Sequence, residues 1–347
     1  MALEPGKPEH QPTSWRLETL TGWHLPLLGD PAFLPLQPVL QRAVLLGLPE
    51  RLIHALTARQ AIAPVVLVAM DDQTPLGLIV TRRLNRSGSC WQVQHLRLAK
   101  PEGQRDLAAT LLREAIHQAK AAASWMATAS SLDSSRLALL REQGFQPLRT
   151  DQLWCWRGPK TDSAGTAPSG LQLRPLNRRT GSLLWHLEQA ACPAQLRQLL
   201  DRRVEDLLDQ SHGKGWLWVD GARGEAVAGV RWLGEHAGGG HDIELTVHPG
   251  WQHLIGAPVE QLLIKAQQGF GDNQPLWVRS DVRDHGRQQW LRQQGAEERG
   301  ERVLMARSVW RRHEHPAPLQ AAKGLEAMLG QLQPQRRPLP TPVGPTP

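Results

Sequence analysis

The chain has no tyrosine, and it holds only three phenylalanines against fourteen tryptophans. No phenol is therefore available as an acid in any chemistry it performs. Lysine is scarce too, at seven residues, so arginine carries most of the positive charge. Cys90, Cys155 and Cys192 are the only cysteines, and their spacing matches neither a metal site nor a disulfide framework. A reduced, cytoplasmic compartment is the expectation. No apolar run approaches the ~20 residues of a membrane span, and no secretory signal pattern stands at the N-terminus. Also missing are a phosphate-binding loop lysine, a nucleophile elbow and a paired metal-ligand motif.

What is present suits two domains of ordinary size: 347 residues, 40% of them hydrophobic. The formal charge is +7. Residues 15–157 carry a net +5 and residues 171–312 a net +2, with both signs interspersed. Such a surface attracts anions without specifying one. No membrane partner is expected, and no nucleic-acid signature goes beyond the charge. Oligomeric state is not legible.

The most ordered stretch is Gly238 to Gln268. Ile243, Leu245 and Val247 alternate along a strand, Pro249 and Gly250 break it, and Val259, Leu262, Leu263 and Ala266 recur at helical spacing. A strand running into a helix N-terminus gathers free amides and a positive dipole end at one point, which suits an anion. The same order of strand, break and helix occurs at Leu98 to Leu112. Gly144 matches Gly295 and Asp133 matches Asp284, each 151 residues apart, and Leu98 matches Val247 at 149. Landmarks at one spacing indicate that a whole domain is duplicated.

Five regions follow: a disordered N-terminus (1–14), a first domain (15–157), a flexible linker (158–170), a second domain (171–312) and a Pro-rich tail (313–347). Residues 15–60 read as mostly helical, and Leu319 to Leu332 as a short helix. Each domain is expected to close with its own last strand, Gln152 to Arg157 in the first and Arg302 to Val309 in the second.

The strand ending Val247-x-Pro249, followed by Gln252 and Ala257, resembles the cofactor motif of the GNAT N-acetyltransferase superfamily. Gly144-Phe145 and Gly295 resemble the ending of its later Asn-x-x-Ala, Tyr, Gly-Phe segment. The resemblance implies an α/β protein of two tandem GNAT-like domains, each a mixed, mostly antiparallel sheet with helices on both faces. It implies acetyl-CoA as co-substrate and N-acyl transfer to an amine, small-molecule or protein, that the sequence does not name.

Carried onto this chain, the loop Gln252, His253, Leu254, Ile255, Gly256 and Ala257 would hold the pyrophosphate. Leu245 and Val247 would offer backbone groups to the pantetheine arm, with Asp284 nearby. Glu244 would be the base. Three departures bear on function. Ile255 replaces the motif's first glycine. Leu140 and Leu291 replace the acid tyrosine. In the first domain Asp106 falls on a loop-glycine position, where it repels phosphate, so that domain reads as degenerate. Asp106 could equally cap its helix, Asp133 and Asp284 theirs, and Glu244 could simply face solvent. The leading expectation is an N-acyltransferase acting through its C-terminal domain. A catalytically inactive GNAT-like binding or scaffold protein is the alternative, and an RNA-associated factor a third reading.

Overall fold

The computed structural model describes residues 15–46, 63–100, 102–159, 169–271 and 274–308. The expectations for residues 1–14, for most of the linker and for the tail lie outside these residues.

Among the described residues, twelve strands form one mixed sheet. In chain order they are β1 (Arg16–Thr19), β2 (Val65–Asp71), β3 (Thr74–Arg83), β4 (Cys90–Leu98), β5 (Ser124–Ser130), β6 (Gln146–Trp156), β7 (Leu171–Pro175), β8 (Gly215–Asp220), β9 (Ala226–Glu235), β10 (His241–Val247), β11 (Leu276–Asp281) and β12 (Glu297–Ser308). Their spatial order is β1-β2-β3-β4-β5-β12-β6-β11-β10-β9-β8-β7. Helices pack on both faces: α1 (37–46), α2 (Arg105–Gln118), α3 (Ser134–Glu142), α4 (Gly181–Ala191), α5 (Ala194–Leu200), α6 (Val204–Ser211), α7 (Ala257–Phe270) and α8 (His285–Gln293). The α/β class with mixed sheet and two-sided helices is therefore what the chain adopts.

The strand order contains an exchange that the sequence expectation did not include. β6, from the first half, lies between β12 and β11 of the second. β12, from the second half, lies between β5 and β6 of the first. Each half thus finishes its sheet with the other's last strand. β6 brings Trp154 and Trp156, both fully buried, into the second half's core beside Val278 and Leu276. Met305 of β12 enters the first half's core in return.

Side-chain alternation sorts the cores by face. On one face α2 and α3 cover Leu67, Ile79, Val93 and Trp125, and α7 covers Ile243, Leu245, Val247 and Val278. On the other, α1 and the preceding turns cover Val66, Val68, Leu78 and Val80, while α4 and α6 cover Leu217 and Val219. Short β1 begins the stretch expected to be helical. It has four residues and pairs only with β2.

The second face is concave. β3 and β9 stand seven places apart in strand order, about 34 Å in a flat sheet. Yet Gln210 of α6 touches both ends. Its Nε2 donates to Leu84 O just beyond β3 at 2.6 Å, and its Oε1 accepts from Arg231 of β9 at 3.2 Å. Side chains from the two halves therefore meet over this face.

Gly144 and Gly295, the paired landmarks, end α3 and α8 with φ of +82° and +72°. That left-handed geometry favours glycine, which explains the repeat.

Candidate active site at the β10–β11 split

β10 pairs with β11 in parallel only from His241↔Leu276 to Ile243↔Val278. On its other side it stays paired with β9 as far as Val247. The two parallel strands therefore part at Glu244, and a split opens toward the end of β10. Continuing the register sets Arg279 across the split from Glu244. The first half repeats this, since β4 and β5 pair only from Cys90 to Val93.

Beyond β10 the chain makes a short turn, Pro249–Leu254, before α7. Its first amides are occupied internally: Gly250 N–H by His248 Nδ1 at 3.1 Å and Trp251 N–H by His248 O at 2.8 Å. Gln252, His253 and Ala257 lie at the surface, whereas Leu254 is buried. Ile255 does not crowd the loop as its branched side chain suggested. It packs against the core, and its N–H bonds Gln252 O at 3.0 Å. Gly256 is bare, with nothing within 4 Å of the place a Cβ would take. Ala257 and Val259 present first-turn amides that the helix itself cannot satisfy, and Pro258 has none to offer. This N-terminus fits an anion.

The split itself holds a side chain. Arg287 of α8 donates through Nη1 to Leu245 O at 3.1 Å and pairs with Asp284 at 3.2 Å. Asp284 also caps α8, accepting from Arg287 N–H at 3.1 Å, and Asp133 caps α3 in the same way. Arg287 and its counterpart Arg136 occupy the small-residue place of the Asn-x-x-Ala pattern. The carbonyl expected to meet a pantetheine arm is thus bonded to a guanidinium. Val247 is buried at the far end of the strand.

Glu244 projects from β10 onto the concave face with Asp242 and Thr246, as the alternation requires. Its carboxylate pairs with Arg231, which also binds Glu188 at 2.7 Å and is only 1% exposed. Arg202 lies 3.5 Å from Glu188. Burial pushes the Glu244 pKa up, but Arg231, Arg202, Arg149 and Arg279 outweigh it and hold the group at about 2. A carboxylate so held is a weak proton acceptor at neutral pH. Asp242 differs, because burial raises its pKa against the pull of Arg279, His236, Arg302 and Arg82. Among the described residues it has no ion pair within 4 Å.

Arg231, Glu188 and Arg287 escaped the sequence reading. Arg231 carried a usable signal, since a lone charge in the apolar strand AVAGVRWL demands a buried partner.

No protein-family model matches the chain, and no curated protein matches it in sequence. Solved structures do. A GCN5-related N-acetyltransferase from Sphaerobacter thermophilus superposes with a TM-score of 0.53 at 14% identity, covering 86% of this chain and 96% of its own. A tandem GNAT protein from the clavulanic acid biosynthesis pathway, solved without AcCoA, gives 0.54 at 14% identity, covering 86% and 99%.

The fold is a tandem GNAT fold. At these identities the likeness establishes the architecture and leaves the activity to the site. Within the tandem GNAT fold, each half keeps a parallel pair that parts and a helix beginning beyond it. In the second half the bare glycine, Gly256, is itself the N-cap of the helix, whereas in the first the N-cap is Gln104 and a bare glycine, Gly103, stands one residue earlier.

Proposed function

We propose that the second half binds an acyl-CoA thioester and transfers its acyl group to an amine that enters from the concave face. The observation that carries this reading is the alignment of three features. The split opens at Glu244, the bare Gly256 stands at the N-terminus of α7, and a cluster of charged side chains lies on the concave face. The amides of Gly256, Ala257 and Val259 would hold the pyrophosphate, with Gln252 and His253 at the loop's rim. Leu245 and Val247 would face the pantetheine arm.

When bound, the thioester supplies an acyl carbon that an amine nitrogen can attack, a C–N bond forming as C–S breaks. Glu244, tied to Arg231, anchors that cluster in this reading, and Asp242 receives the proton leaving the amine. Arg287 stands one helical turn before Leu291, where the family's tyrosine would be. Its guanidinium offers a positive charge to the departing sulfur in place of a phenol.

The same arginine supports the second reading, a GNAT-fold scaffold without catalysis, because it now holds Leu245 O. Calorimetric titration of the full chain with acetyl-CoA separates the two. Saturable binding is expected, tightened in Arg287→Ala, which releases the carbonyl. Absence of binding in both proteins would leave the scaffold reading standing.

A further inference from the structure

The concave face holds more cationic side chains than its ion pairs consume. Arg231 is matched by Glu188 and Glu244, and Arg149 by Asp151 at 2.7 Å. Arg82 of β3, Arg279 of β11 and Arg302 of β12 have no carboxylate within 4 Å among the described residues. Strand registers place the last two together. Arg302 is opposite Asp151 and Arg279 opposite Leu153, so they flank β6 on one face, two residues out of step. Asp242 pairs with Trp277, one step diagonal to Arg279. Arg82 reaches the same space from across the concavity, within electrostatic range of Arg279, Arg231 and Asp242, and its Nε binds Gln92 at 3.0 Å.

Three guanidiniums without an ion pair stand around Asp242, while Asp281, two residues beyond Arg279 on the same face, accepts from Arg283 N–H at 2.9 Å. A guanidinium fork is built to bind carboxylate or phosphate oxygens. A carboxylate beside them suits an ammonium. Arg279 lies across the split from Glu244, so a group bound there stands beside the proposed acyl position.

We propose that this cluster is the acceptor-binding site and that the acceptor is a small amine that also bears a carboxylate or phosphate, with Arg279, Arg302 and Arg82 on the anion and Asp242 on the ammonium. The proposal rests on the acyl-transfer reading for the word acceptor, though the binding site itself does not. Arg82 comes from the first half and the other three groups from the second. The first half would thus contribute to recognition although its own cradle is defective.

The test is a calorimetric titration of the full chain with aspartate, phosphoethanolamine and ethanolamine, with and without acetyl-CoA. Aspartate, phosphoethanolamine or both are expected to bind saturably, and the better of them names the anion. Ethanolamine, which lacks the anion, is expected to bind at least tenfold more weakly. Arg279→Gln and Arg302→Gln, at exposed side chains, should each weaken the anionic amine tenfold or more, while Arg105→Gln on the far surface leaves it unchanged. Equal binding of ethanolamine, no binding of either anionic amine at millimolar concentration, or unchanged binding in both arginine variants would overturn the proposal. If acetyl-CoA binds and the anion preference is absent, this inference falls alone. If the anionic amine binds and acetyl-CoA does not, the site stands and the acyl-transfer reading falls.

Discussion

The two halves share one plan and differ at the points where an anion would sit. In the second half α7 begins with Gly256 and Ala257, and open space lies beside the glycine. In the first, α2 begins with Arg105 and Asp106 after Gln104, and Asp106 puts a carboxylate in the first turn. It does not cap the helix by side chain, since Gln104 holds that position without a side-chain bond. Its negative charge favours the helix dipole and opposes a phosphate at the same place. A unit charge ~4 Å from a phosphate costs about 4 kcal/mol at an effective dielectric near 20, and about 1 in bulk water. Thus one half has the geometry of an anion cradle and the other has used the same backbone for an ordinary helix start.

A second difference lies on the concave face. His95 and Glu244 correspond at 149 residues, and the registers pair Glu244 with Arg231 but His95 with Val80, so Arg231 has an apolar residue at its place in the first half and Arg82 lies two residues further along β3. Arg231 has two carboxylates; Arg82 has none among the described residues, and burial with the nearby Arg202, Arg279 and Arg231 pulls its pKa down to about 10. The two arginines of this face therefore differ in surroundings: Arg231 is tied into ion pairs and Arg82 is not.

The largest effect should come from that pair. Arg231→Leu strands Glu188 and Glu244 without their shared cation, and removing one partner from a buried ion pair costs about 3–5 kcal/mol. Arg82→Leu strands no carboxylate, so the midpoint of denaturant unfolding should change little. Equal losses in the two variants would erase the contrast drawn between the halves.

Acid titration should separate His95 from Glu244 by pH window. Burial first, and then Arg97, Arg136 and Arg82, lower the His95 pKa from 6.5 to about 4. The unfolded chain binds the proton more readily, so stability falls as pH drops from about 6.5 to 4. The Glu244 pKa is lowered from 4.5 to about 2, so its contribution is present above 4.5 and is lost as pH falls toward 2. His95→Gln should flatten the upper window of a melting-temperature profile and Glu244→Gln the lower one. An exchange of windows would contradict the electrostatic assignment.

The smallest contrast concerns the matched caps. Asp133→Ala and Asp284→Ala should each lose about 1 kcal/mol of stability from the missing helix cap. Asp284→Ala should lose somewhat more, because it also releases Arg287. Identical losses would show that the Arg287 pair contributes nothing.

Much of this plan could be read from local pattern. The alternation of Ile243, Leu245 and Val247, the break at Pro249-Gly250 and the helical spacing from Val259 gave strand, turn and helix in order. Gly144 and Gly295 marked equivalent helix ends because both need a left-handed backbone. The strand exchange was not legible, since β6 and β12 alternate identically whichever neighbour they pair with. β1 was missed because its four residues carry no periodicity of their own. At the site, the sequence placed Glu244 on the polar face of β10 but could not show Arg231 opposite it. Nor could it show that Ile255 turns into the core, or that Arg287 reaches Leu245 O across the split. Those contacts join residues 13 and 42 positions apart, so only the fold brings them together.

The central claim is that one half of the duplication kept an anion cradle and the other lost it. Its most direct test is the stoichiometry of acetyl-CoA in a calorimetric titration of the full chain, Gly256→Asp and Asp106→Asn. The account predicts a single equivalent in the unaltered chain, weakened roughly a thousandfold in Gly256→Asp, the loss that about 4 kcal/mol implies, and of unchanged affinity in Asp106→Asn. Two equivalents in the unaltered chain, or undiminished binding in Gly256→Asp, would contradict it.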